Sequence, residues 1–196
     1  KNYPMPTTQK SNKLTNMPDK KDIDLLIEVE NKVRWLASWT IHNANNIRPS
    51  RDGIKVGGHQ ASSASISTVM TALYMNVLRP EDKVAVKPHA SPNFHAIQYL
   101  LGRQTLEQLE QISAFGGVQS YPSITKDKTE VDFSTGSVGL GVAATLFSSI
   151  TQDFAADHDL LTNTENKGRM ISILGDAELD EGNIYEALLE GWKKEL

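Results

Sequence analysis

From Asp22 to Asn46 the apolar residues Ile23, Leu26, Ile27, Val33, Leu36, Ala37, Ile41 and Ala44 recur at three- and four-residue steps. That spacing predicts an amphipathic helix, with Asp19 or Asp22 near its start. Arg48-Pro49 ends it, because a proline pushes the preceding residue out of helical geometry. A turn at Asp52-Gly53 leads into Val56-Gly57-Gly58-His59-Gln60, and a second helix follows with the stripe Ile66, Met70, Leu73 and Val77, ending at Arg79-Pro80. Lys83-Val84-Ala85-Val86 reads as a short buried strand stopped by Lys87-Pro88. Residues 92–113 read as two short helices split at Gly102, and residues 115–136 as an irregular loop around Gly116-Gly117 and Pro122. Ser137 to His158 predicts a buried helix with Gly139 and Gly141 in its first turn, and Asn163 to Gly168 a loop. Arg169 to Leu174 is the clearest strand; it runs into Gly175-Asp176 and a helix from about Glu181. Helices alternating with short apolar strands predict an α/β fold, doubly wound with a mainly parallel sheet. The polar stretch 1–21, with Pro4, Pro6 and Pro18, reads as a flexible arm, and residues 22–196 as one domain.

Composition narrows the chemistry. The 196 residues carry a formal net charge of -4, which argues against a phosphate-backbone partner and so against nucleic acid. The absence of cysteine removes disulfides, thiolate nucleophiles and Cys-ligated zinc, and is compatible with a cytoplasmic protein. No segment approaches the roughly 18 consecutive apolar residues of a membrane span. The chain starts at Lys1 and stops at Leu196 inside a helical pattern without a cap, so both ends read as trimmed.

In doubly wound sheets ligands bind outside the carboxyl ends of the strands. Gly57-Gly58-His59, Lys87-Pro88-His89, Ser134–Gly141 and Gly175-Asp176 can all reach such an edge. Asp176, directly after a strand and a glycine, is the sharpest candidate: hard cations take carboxylate and diphosphate oxygens together. A cap for the next helix explains Asp176 equally well, and Glu178, Asp180 and Glu181 can be read as first-turn acids. Gly136-Ser137-Val138-Gly139-Leu140-Gly141 fits a dinucleotide fingerprint only loosely, since it follows a loop and not a strand. Its glycines let a helix start close to another backbone, or leave backbone groups of Gly136 and Val138 free for a ligand ring. His59 and His89, in Gly- and Pro-flanked turns, favour a site over the core, whereas His42 and His158 read as structural or solvated. His95 has no nearby carboxylate to complete a zinc triad.

The run Ile173-Leu174-Gly175-Asp176-Ala177-Glu178-Leu179-Asp180-Glu181-Gly182-Asn183 resembles the opening of the thiamine-diphosphate motif of the transketolase-like superfamily. Four more blocks stand in that family's order: Gly57-Gly58-His59-Gln60-Ala61-Ser62, Lys87-Pro88-His89-Ala90-Ser91-Pro92, Gln119-Ser120-Tyr121-Pro122-Ser123 and Ser134–Gly141. The stretch Lys87–Arg103, with Thr105-Leu106-Glu107-Gln108-Leu109 after it, is similar to the homodimeric pyruvate dehydrogenase decarboxylating component. The resemblance implies thiamine diphosphate with Mg²⁺ (or Ca²⁺) ligated by Asp176, and Gly175, Ala177 and Glu178 beside the diphosphate. It implies that Gly136, Ser137 and Val138 lie near the aminopyrimidine, and that His59 and His89 face thiazolium and substrate as donors or proton-transfer groups. Glu181 would sit at the subunit interface of a homodimer and act in catalysis through it. The implied reaction is decarboxylation of a 2-oxo acid, with an acyltransferase component as a further partner, or alternatively ketol transfer between sugar phosphates. Ala177 stands where the motif carries a second glycine, and the motif's closing Asn pair and the activating Glu fall outside these residues. A non-catalytic remnant is the third reading, should Leu196 be the natural end.

Overall fold

The computed structural model describes residues 19–50, 52–161 and 167–196. The expected arm, apart from residues 19–21, and most of the loop from Asn163 lie outside the described residues. The first helix, α1 (Lys20–His42), starts where a reciprocal cap forms: the Asp19 carboxylate accepts from the Asp22 amide, and Asp22 returns the bond to the Asp19 amide. One wide π turn, Asn43–Ile47, continues it. The expected second helix is divided into α2 (Gln60–Ser65) and α3 (Ser67–Ala72), which meet at Ile66; a second π turn, Leu73–Val77, follows.

Strand β1 (Lys83–Ala85) leads through α4 (Ser91–Leu100), α5 (Leu106–Glu110) and α6 (Leu140–Asp157) to β2 (Met170–Ser172). The two strands pair in parallel, Val84 opposite Ile171 and Ala85 opposite Ser172. The chain ends in α7 (Gly182–Lys193). The molecule is thus helix-rich around a two-stranded parallel sheet among the described residues, in keeping with the α/β expectation. Gly102, at φ +71°, separates α4 from α5 as expected, and a Thr105–Gln108 capping box starts α5.

The period-2 alternation of the strands sorts the layers. Val84, Val86, Ile171 and Ile173 pack with Val33, Leu36, Met70, Phe94 and Ile97 of α1, α3 and α4. The small residues Ala85 and Ser172 point to the other face, where α6 passes so closely that a Cβ on Gly141 would lie 2.9 Å from Ser172 Oγ. Burying Ile97, Met70 and Val33 completely contributes about 1.5–3 kcal/mol for each side chain.

Two expectations are corrected. Helix α6 begins at Leu140, not Ser137, and it is not buried all round: Val142 and Thr145 are buried, but Phe147 and Phe154 are more than half exposed. Leu140, Phe147 and Phe154 stand seven residues apart, so they share one outward stripe. The end of α7 is also capped: Glu195 turns into the left-handed region (φ 59°) and the Leu196 amide returns to the Gly191 carbonyl at 3.1 Å.

Candidate functional site

The parallel strands are stapled at both ends by a buried carboxylate. At the entry end, Asp82 accepts from the Arg169 amide (2.8 Å) and guanidinium and from the Arg79 amide (2.9 Å). Burial opposes the Asp82 charge, but the hydrogen bonds from Arg169 and Arg79 prevail and hold its carboxyl well below the usual range. At the exit end, Glu178 Oε2 accepts from the Gly175 amide (2.8 Å) and lies 2.7 Å from Lys87 Nζ, while Oε1 accepts from the Gly139 amide (3.2 Å). The Gly136–Gly139 loop is held twice more: Asn183 Nδ2 donates to the Val138 carbonyl (3.0 Å), and Thr135 Oγ1 to the Val86 carbonyl (3.2 Å).

Beside this edge lies a cleft of about 300 Å³ lined by His59, His89, Tyr121, Ser120, Ser137 and the Gly57-Gly58 backbone, among others. The rings of His59 and His89 meet edge-to-face with centroids 5.0 Å apart. His59 is placed by the turn before α2, where Gly57 and Gly58 adopt φ +86° and +100°, a region that residues with a Cβ avoid. Asn45, in the π turn after α1, fixes that turn with two bonds to Gly57, donating to its carbonyl (2.7 Å) and accepting from its amide (3.1 Å). His89 sits in the single 3₁₀ turn Pro88–Ala90 at the end of β1. Burial lowers its proton affinity, the Lys87 ammonium and His59 add to that, and Glu178 opposes it.

The segment expected to be irregular is ordered by a few polar side chains. His95, fully buried, has Nε2 against the Gln119 carbonyl (2.8 Å) and Nδ1 against Gln104 Nε2 (2.9 Å). Asp127 accepts from the amides of Gln119 (2.9 Å) and Ser123 (2.8 Å), which sets Tyr121 between them at the cleft.

Of the residues singled out in the sequence, His59, His89 and Ser137 line the cleft together. Gly136, Val138, Gly175 and Glu178 belong to the hydrogen-bonded edge beside it, and Glu178 is turned inward and buried. Asp176 and Ala177 lie exposed in the 3₁₀ turn Asp176–Asp180, and exposed Glu181 precedes α7 without a side-chain cap. The capping role open to Asp176 falls instead to Glu178, whose carboxylate closes that turn onto the Gly175 amide. The Asp176 carboxylate makes no hydrogen bond or ion pair among the described residues. No group of three or more His, Asp or Glu side chains among them could hold a metal. One free carboxylate beside glycine backbone still fits a cation shared with a diphosphate, since such a cation takes only one or two protein carboxylates. Lys87, Asn45, Asn183 and Asp127 carry no motif signal as partners; their roles depend on residues 4 to 91 positions away.

No family model matches the chain. Among curated proteins, it is 29% identical over 174 residues to the pyruvate dehydrogenase E1 component of Mycobacterium tuberculosis, covering 81% of this chain and 18% of that protein. It is 28% identical over 169 residues to the Escherichia coli K12 pyruvate dehydrogenase E1 component (82% of this chain, 18% of that protein). It is 32% identical over 161 residues to a 6-deoxy-6-sulfo-D-fructose transketolase subunit of Clostridium sp. strain MSTE9 (76% of this chain, 55% of that protein). The chain is thus related to pyruvate dehydrogenase E1 and transketolase-type proteins. It spans less than a fifth of the pyruvate dehydrogenase relatives and about half of the transketolase subunit. No described helix is long and apolar enough to cross a membrane.

Proposed function

We propose that the chain forms part of a thiamine-diphosphate- and Mg²⁺-dependent enzyme that decarboxylates a 2-oxo acid, within a larger doubly wound domain. The observation that carries this reading is the wall of the cleft. His59 and His89 face one another there beside Tyr121, Ser120 and Ser137, with no lysine or arginine among the described lining residues. Histidine and hydroxyl donors of this kind suit the carbonyl oxygen of a small 2-oxo acid, the group at which the reaction takes place. In this reading Asp176 holds the metal, Gly175, Ala177 and Glu178 border the diphosphate, and Gly136, Ser137 and Val138 meet the aminopyrimidine with backbone groups. Bound there, the cofactor supplies the electron sink that decarboxylation requires.

The protein's own contribution is position and proton handling. His89, kept uncharged near neutrality, can accept a proton or a hydrogen bond at the substrate. The exposed Glu181 is assigned to the interface of a homodimer, in a cytoplasmic enzyme that hands its product to an acyltransferase component. Ketol transfer is the second reading, supported by the transketolase subunit that the chain matches over 55% of its length. Assays of the full-length protein with pyruvate and an artificial electron acceptor, and with a ketose phosphate and an aldose phosphate, separate the two. Decarboxylation without ketol transfer is the expected result; ketol transfer alone overturns the first reading.

A further inference from the structure

Lys87 and Glu178 are charged side chains only 10% and 5% exposed, and neither lines the cleft. Lys87 leaves the end of β1 and passes beneath Gly175, where a Cβ would lie 2.7 Å from both its Cε and its Nζ. Its ammonium ends 2.7 Å from Glu178 Oε2. The same carboxylate takes the amides of Gly175, after β2, and of Gly139, before α6. One carboxylate therefore gathers donors from three separate segments. Burying such a pair gains little stability over an apolar pair of the same size, so its consequence is to be sought in what it holds in register.

We propose that the Lys87–Glu178 pair is a positioning device, which sets the Val138-Gly139 backbone and the Gly175-Asp176 turn at fixed offsets from His89. What those segments grip rests on the thiamine-diphosphate reading; the clamp itself does not. Lys87 is covalently two residues from His89, and the charged or titratable groups facing His89 are Lys87, His59 and Glu178. Removing the ammonium leaves the carboxylate uncompensated beside His89, and removing the carboxylate does the reverse. The two single variants must therefore move His89 in opposite directions, which loss of packing alone cannot do.

The test uses the full-length protein without cofactor, reading the His89 ring by NMR titration and the Gly139 and Gly175 amides by hydrogen exchange. Lys87→Met is expected to raise the His89 midpoint and Glu178→Gln to lower it. In Lys87→Met the two amides should exchange about tenfold faster, the scale of weakening one charge-assisted hydrogen bond. Lys87→Arg keeps the charge and should return the His89 midpoint toward wild type. Calorimetry with thiamine diphosphate and Mg²⁺ should then show Lys87→Met binding about 10–100-fold more weakly, as for partners that orient first ligands elsewhere. An unmoved His89 midpoint with unchanged amide exchange overturns the clamp, and so, where wild type binds the cofactor, does equally tight binding by Lys87→Met. If wild type fails to bind the cofactor while His89 and the amides respond as stated, the clamp stands and the proposed function falls. Should Lys87→Met not fold, Glu178→Gln and Lys87→Arg decide the matter by the sign and the rescue.

Discussion

Asp176 and Glu178 stand two positions apart, and their burial separates their roles. Asp176 is exposed and free of protein partners among the described residues, while Glu178 is 4% exposed with its oxygens shared by Gly139, Gly175 and Lys87. Asp176→Ala is therefore expected to abolish Mg²⁺-dependent cofactor binding in the full-length protein while leaving its melting temperature within a degree or two, as surface changes do. Calorimetric affinity equal to wild type refutes the ligand role. Gly58→Ala acts differently. It forces a Cβ into φ +100° and to within 3.2 Å of Ile41, so it should displace His59 at a cost of about 1–3 kcal/mol. The residue types at His59, His89 and Asp176 were legible because chemistry-bearing side chains stood beside Gly or Pro. Lys87 as a partner of Glu178 was not, because the two stand 91 positions apart in a contact that only the strand pairing makes.

At the scale of elements, α1 and both strands fall where apolar periodicity places them, since burial on one face leaves a period in the sequence. Helix α6 shows where that reasoning fails. Its apolar, small-residue-rich sequence reads as buried throughout, yet burial is confined to the side facing β1, β2 and α7. Composition reports how much surface a segment could bury, and only its neighbours decide how much it does. Gly141 is the contact that sets how close α6 comes to the sheet. Gly141→Val should overpack against Ser172 and Ala85 and destabilise by about 1–3 kcal/mol in urea unfolding. A loss below half a kcal/mol would show that the helix shifts freely on the sheet. The loop before α6 carried no periodic signal, because its order comes from single hydrogen bonds to His95, Asp127 and Asn183.

The molecule as a whole joins its two strands through carboxylates at opposite ends, and its acid response follows from the groups buried with them. His95 stays neutral in the fold, its proton affinity lowered first by burial. As pH falls below the ordinary histidine value of about 6.5, the unfolded chain binds a proton that the folded chain does not, so stability declines. Asp82 is held ionised, so its contribution is intact above about pH 4 and is lost as pH drops through and below that value. Acid unfolding is expected in two stages, and His95→Gln should make the first, between about pH 7 and 5, shallower, leaving the share of His89, without touching the second. Urea midpoints that do not change between pH 7 and 5 in wild type would refute the buried neutral histidine. Asp82→Asn should cost about 1–3 kcal/mol, because the buried side chain loses its charge-assisted hydrogen bonds from Arg169 and Arg79, whose guanidinium groups stay half exposed to water.

The sequence by itself determined the helix and strand periods, the turns at Gly and Pro, and five motif blocks in an order that names a family. Those properties are local, or repeat along the chain, and so survive without knowledge of what packs on what. Only the tertiary structure decided that His59 and His89 share one cleft, that Tyr121 and Ser137 join them, and that Glu178 turns inward to Lys87. It also decided that α6 buries a single face. Each of these depends on segments dozens of residues apart meeting at the end of a parallel strand pair, and on whether a charge finds its partner away from water.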